Sequence, residues 1–66
     1  MRVTVNGEPH DLVTEETLAA LVTRFADRTS GMAVAVNNAV VPRACWTTTR
    51  LAPGDRIELL TAVQGG

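Results

Sequence analysis

Asn6-Gly7 comes directly after a stretch, Met1 to Val5, in which Met1, Val3 and Val5 alternate with Arg2 and Thr4. Alternation is the period of a strand with one face buried. Asn-Gly is the pair that most cheaply supplies the positive φ a type I′ turn needs at both central positions. The chain must therefore double back at once, and a second strand over about Glu8 to Val13 is expected. An isolated two-stranded hairpin is marginal in water, so a later segment of the chain has to cover it.

The cover is a helix. Leu18, Leu21, Val22 and Phe25 fall at i, i+3, i+4 and i+7, which places all four on one face. Thr14 reads as its N-cap, with Glu15 and Glu16 in the first turn, where the helix dipole favours negative charge. Arg24 and Arg28 sit late, and Ser30-Gly31 supplies the stop.

Beyond it, Met32 to Asn37 alternates Met32, Val34 and Val36 with Ala33 and Ala35, the pattern of a central strand apolar on both faces. Asn37-Asn38 turns the chain. Val40-Val41 is a short strand confined to an edge by Pro42, and Arg43 to Thr49 reads as irregular or a single helical turn. Leu51 to Asp55, containing Pro53-Gly54, is a turn by composition, and Arg56 to Val63 is a last strand. Hairpin, helix, then further strands predict an α+β fold of the β-grasp, ubiquitin-like kind: a mixed sheet of four to five strands with one main helix packed on one face. Residues 1–63 form a single domain in this reading, and 64–66 a flexible tail.

Size and charge narrow the function. Of the 66 residues, 45% are apolar, and nine of those are alanine, enough for one sheet layer against one helix. A chain this short buries only roughly 60% of its unfolded surface and lacks the interior for a deep substrate pocket, which argues against a self-contained enzyme. Six scattered arginines and no lysine, against seven carboxylates, form no basic stripe, so nucleic acid is not an expected partner. No apolar run approaches the roughly 20 residues of a membrane span. A single cysteine makes no internal disulfide, so a cytoplasmic location is expected, and the free protein is expected to be a monomer.

Most site chemistries fail by counting. One histidine, His10, and one cysteine, Cys45, do not supply the ligands of a zinc site, and no glycine-rich run precedes the helix to cradle phosphate. Cys45 reads as an inert, small apolar residue and His10 as lying on a solvated face. Trp46, one of only two aromatics in the Phe, Trp and Tyr set, is either a lid on a small core or an interface anchor. There remains the end of the sequence, Gln64-Gly65-Gly66. Without Cβ, two glycines thread a channel too narrow for side chains, and three extended residues reach roughly 10 Å. Adenylation converts a carboxylate into a mixed anhydride that then accepts sulfur or an amine. A chain so built is a carrier whose reactive group is its own C-terminus, with Leu60, Ala62 and Val63, and Trp46 if it is an anchor, as candidate docking residues.

The opening strand with Asn6-Gly7-Glu8, the segment Val34-Ala35-Val36-Asn37 through Val40-Val41-Pro42-Arg43 to Trp46, the Gly54-Asp55 turn, and Ala62-Val63-Gln64-Gly65-Gly66 together resemble the bacterial ThiS family of sulfur carriers in thiamine biosynthesis. The resemblance spans almost the whole chain, and it departs at Asn38, where a glycine commonly completes the turn, and at Cys45, which the family does not require. It implies adenylation of Gly66 by an E1-like adenylyltransferase of the ThiF type, which consumes ATP, with Gln64 and Gly65 recognised in the tail. A sulfur-donor protein would then supply the sulfur of a C-terminal thiocarboxylate. A thiazole synthase of the ThiG type would receive it. The carrier itself would bind no cofactor and no metal and lower no barrier. Two other readings share the residues: the small subunit of a molybdopterin synthase, and a ubiquitin-like binding module or conjugation tag.

Overall fold

The computed structural model describes residues 1–26 and 31–61, with the side chain of Thr61 not described. Five strands form one sheet: β1 (Arg2–Val5), β2 (Glu8–Asp11), β3 (Met32–Val36), β4 (Ala39–Val40) and β5 (Arg56–Thr61), in the order β2-β1-β5-β3-β4. The central pair, β1 and β5, runs parallel, and every other neighbouring pair is antiparallel. The helix α1 (Leu18–Phe25) lies between β2 and β3 in sequence. This is the β-grasp arrangement expected from the element order, a sheet of five strands in which β4 is only two residues long.

The alternation sorts as expected. Val3, Val5, Val34 and Ile57 are buried with Leu18, Leu21 and Val22, and Leu12, Trp46 and Leu51 complete the core. The outermost strands are both blunted. Pro9 has no N–H to offer along the free edge of β2, and Pro42 comes soon after β4, so neither edge presents a full ladder to another chain.

Four boundaries differ from the sequence expectation, the smallest at β4, which is Ala39–Val40 instead of Val40-Val41 because Asn37 and Asn38 alone make the turn and Ala39 already pairs with Val36. Strand β2 stops at Asp11, leaving Val13 98% exposed, because the chain turns away towards the helix after Leu12 enters the core. The helix starts three residues later than Thr14 suggests: Thr17 is the N-cap, its Oγ1 accepting from the Ala20 N–H at 3.2 Å. The reason is tertiary. The first helical amides, Leu18 and Ala19, donate to the carbonyls of Thr49 (2.8 Å) and Trp46 (3.1 Å), and Leu51 N–H donates to the Glu16 carbonyl at 3.0 Å. The loop after the short 3-10 turn (Arg43–Cys45) thus supplies the acceptors that the first turn of any helix lacks. Glu15 and Glu16 accordingly precede the helix instead of occupying its first turn, and they pair with Arg50 (3.4 Å) and Arg24 (2.8 Å). The helix ends at Phe25, short of the expected Ser30-Gly31 stop, because Ala26 is already extended. Arg28 and Ser30 lie outside the described residues. Phe25 is 42% exposed, its ring edge-on to that of His10 with centroids 4.9 Å apart, so His10 is half-buried against the helix end instead of fully solvated.

The last strand is described to Thr61, and its expected end, Ala62 and Val63, lies outside the described residues. Cys45 is exposed, against expectation, since the tight turn at 43–45 holds its side chain outward while its carbonyl accepts from Thr48 and Thr49.

Turn chemistry explains the motif residues. Asn6 and Gly7 have φ of 51° and 85°, and Asn37 and Asn38 have 52° and 71°, so both hairpins take left-handed residues at both central positions. In Ala52 to Asp55, the Asp55 N–H donates to the Ala52 carbonyl at 3.1 Å with Pro53 second and Gly54 at φ 86°, the type II form. Asp55 ties this turn to its neighbours: Oδ2 accepts from Ala52 N–H (2.8 Å), Oδ1 from Asn37 Nδ2 (3.0 Å), and the backbone carbonyl from Thr4 N–H (3.0 Å). Asn38 is the one departure in this chemistry, because asparagine adopts the left-handed region at more cost than glycine. Asn38→Gly is expected to stabilise the fold by about 0.5 kcal/mol, raising the urea midpoint without changing the m-value. An unchanged or lower midpoint rejects the account.

Candidate functional site

The strand that leads to the C-terminal residues is β5, and it is central. It is flanked by β1 on one side and by β3 over five residue pairs, Met32↔Thr61 to Val36↔Ile57, on the other. Residues alternate across a strand, so Ile57 and Leu59 turn to the helix side while Arg56, Glu58 and Leu60 turn to the opposite face. Leu60 is 62% exposed there. It stands opposite exposed Ala33 on β3, and next along the same face come Ala35 and its partner on β4, exposed Val40. These residues make a continuous strip of apolar side chains on the uncovered face, bordered by Glu58.

Among the predicted docking residues, the structure separates Leu60 from Trp46. Leu60 is on the open face, but Trp46 is 4% exposed, on the helix side of the sheet, with its indole Nε1 donating to the Val41 carbonyl at 2.9 Å. Trp46 is therefore a lid on the core and not an anchor. Arg43 places its guanidinium 5.8 Å from the centre of the Trp46 ring, and Pro42 starts the turn that carries both. The Pro-Arg…Trp segment thereby acquires a structural reason. Ala62, Val63, Gln64, Gly65 and Gly66 lie outside the described residues.

The described residues supply little other chemistry. No three of the described His, Cys, Asp and Glu side chains gather into a group able to hold a metal ion, and no described helix is long and apolar enough to cross a membrane. At the start of the chain, Arg2 Nε donates to Asp11 Oδ1 at 3.0 Å. That hydrogen bond, with the attraction of the two charges, holds Asp11 below the ordinary carboxylate range and Arg2 above its ordinary value. Both side chains are exposed, so the pair does no more than fasten the β1–β2 ends.

Sequence reasoning missed the roles of Asn6, Asn37 and Asp55 as side chains. Asn37 Oδ1 accepts from the Arg56 N–H at 2.9 Å, and Asn6 Oδ1 accepts from the Leu59 N–H at 2.8 Å. An asparagine at a turn reads locally as a source of positive φ, and nothing local marks an amide that also holds a strand many residues away.

The model of the ThiS family matches residues 3–66 of this chain. The sulfur carrier protein ThiS of Escherichia coli (strain K12) is 29% identical over 66 residues, which cover all of both chains. The crystal structure of the thiamine biosynthesis protein ThiS from Geobacter metallireducens superposes with a TM-score of 0.86 at 26% identity, again covering 100% of each chain. The solution structure of a thiamine biosynthesis protein from the same organism gives 0.81 at 28% identity, covering 100% of this chain and 88% of that one.

Proposed function

The chain belongs to the ThiS family, and we propose that it is a sulfur carrier of thiamine biosynthesis whose reacting group is the carboxylate of Gly66. The observation that carries this reading is that the family match runs through Gly66 itself and so includes the Gly-Gly pair, on a chain too short to enclose a deep catalytic pocket of its own.

The chemistry proceeds in two displacements. The Gly66 carboxylate attacks the α-phosphorus of ATP held by an E1-like adenylyltransferase of the ThiF type, and pyrophosphate leaves. A sulfur nucleophile at the oxidation level of hydrosulfide, supplied through a donor protein, then adds to the acyl carbon, and AMP leaves with the electrons of the old C–O bond. The product is a thiocarboxylate, whose soft, nucleophilic sulfur passes to a thiazole synthase of the ThiG type. The carrier contributes recognition and reach. Gln64 and Gly65 are the residues a narrow channel would read, since glycine adds no Cβ to obstruct it. Leu60, with Ala62 and Val63, is the apolar docking patch beside the tail, and the strip of Ala33, Ala35 and Val40 extends it across the uncovered face. In this reading the protein is a consumed co-substrate and not an enzyme.

Intact mass of the protein isolated from its source without reductant tests the proposal. Replacement of one terminal oxygen by sulfur is expected in part of the population. A population found only as conjugates to other proteins, or never carrying sulfur while the thiamine pathway is active, rejects it.

A further inference from the structure

Asn6 does more than its turn requires. Backbone pairing between β1 and β5 reaches only Val5↔Ile57, and the last bond is from the Asn6 N–H to the Ile57 carbonyl at 2.9 Å. Asn6 then turns the chain away into the hairpin at φ 51°. β5 continues to Thr61, so the peptide groups of Leu59 that point to the β1 side lie past the end of that strand. They meet the Asn6 side chain instead: Leu59 N–H donates to Oδ1 at 2.8 Å, and Nδ2 donates to the Leu59 carbonyl at 3.4 Å. A carboxamide carries the same acceptor and donor in one plane as a peptide group. Asn6 thus adds a side-chain rung to the ladder at the point where the backbone leaves it.

Positive φ alone does not explain this residue, because glycine adopts that conformation at less cost. We propose that Asn6 is a positioning residue for the carrier chemistry: its amide splints β5 beyond the end of β1 and fixes the direction in which the strand runs on towards the reacting C-terminus. The proposal rests on the reading of Gly66 as the reacting group. It gives Asn6 no contact with the reacting atoms, only control of the strand that delivers them.

Three full-length proteins test it: wild type, Asn6→Gly and Asn6→Asp. Glycine keeps the turn and removes both side-chain bonds, whereas aspartate still accepts from Leu59 N–H but has no N–H for the Leu59 carbonyl. Amide hydrogen exchange monitored by NMR reads the splint directly. Protection of the Leu59 amide is expected to fall about tenfold in Asn6→Gly and by less in Asn6→Asp, with the Val34 and Ile57 amides unchanged. Transfer of AMP from ATP to each protein by the E1-like enzyme of the same source is then measured well below the melting temperature of every variant. The expected result is kcat lower by about tenfold in Asn6→Gly and intermediate in Asn6→Asp, with KM little changed, because docking of the sheet face is untouched while the carboxylate arrives less often in line. A merely stabilising role leaves kcat of the folded protein at the wild-type value, and that result overturns the proposal, as does unaltered Leu59 protection. Failure of the wild-type protein to accept AMP overturns the carrier reading and the splint with it, so the two failures are told apart by the wild-type lane.

Discussion

Deletion of Gly66 is expected to lower AMP transfer by at least about a hundredfold while leaving thermal unfolding of the domain unchanged. One residue of extended chain is about 3.3–3.6 Å, and removing it draws the carboxylate back by that distance from wherever the adenylating enzyme holds the α-phosphorus. Near-attack geometry demands reacting atoms roughly 3–3.5 Å apart, and a displacement of even about 1 Å costs on the order of a hundredfold. The new terminus, Gly65, offers an identical functional group, so the loss isolates position from chemistry. The buried residues identified in the core all lie between Val3 and Ile57, which is why unfolding should not register the deletion. In a strain lacking the endogenous gene, the shortened protein is expected not to support growth without added thiazole. Wild-type AMP transfer by the shortened protein, or growth of that strain, removes the assignment of Gly66.

The contrast between the chemistry proposed for the last residues and the packing that holds the domain bears on what could be read from the sequence. Strands β1, β3 and β5 were legible because their signal is local: alternation in Val3 and Val5, in Val34 and Val36, and in Ile57 and Leu59, punctuated by Asn-Gly, Asn-Asn and Pro-Gly, whereas β2 and β4 were placed only approximately by the turns beside them. The start of the helix was not legible, since Thr14 and Thr17 are equally good caps by type. What selects Thr17 is the pair of carbonyls at Trp46 and Thr49, about thirty residues away in sequence, that meet the Leu18 and Ala19 amides. The same non-local logic hid the Asn6–Leu59 amide rung and exposed Cys45, whose expected burial came from residue type alone. The exposed face was half legible: Leu60 falls out of phase with Ile57 and Leu59, but its continuation through Ala33, Ala35 and Val40 needed the strand order. The reading of Gly-Gly as a reacting end comes from residue type alone, from what glycine lacks, and the deletion of Gly66 is what tests it.

Trp46 provides the second large expectation, and it separates the two roles that the sequence left open. Trp46→Ala is expected to cost about 3–5 kcal/mol, the range for deleting a buried aromatic side chain. At roughly 0.05–0.15 kcal/mol per residue, a domain of this size has a total stability of about the same order, so the alanine variant should be largely unfolded at room temperature. The loss exceeds the ring itself. Trp46 seats the loop whose carbonyls, its own among them, accept the first two helical amides, so emptying its site also strips the cap from α1. Trp46→Phe keeps much of the buried ring and should cost about 1–3 kcal/mol, because the Val41 carbonyl loses the indole N–H now 2.9 Å away. Folded Trp46→Phe is expected to accept AMP with wild-type kinetics, since no part of Trp46 reaches the face that carries Leu60. As the only tryptophan in the chain, it reports on itself: wild-type emission should be blue-shifted when folded and move to the red through the same urea transition seen by circular dichroism. An interface anchor behaves in the opposite way, leaving the alanine variant folded and weakening only its encounter with the adenylating enzyme. A Trp46→Ala protein that melts like wild type would therefore return Trp46 to the surface and leave the loop from Arg43 to Arg50 held by its backbone bonds to Glu16, Leu18 and Ala19 alone.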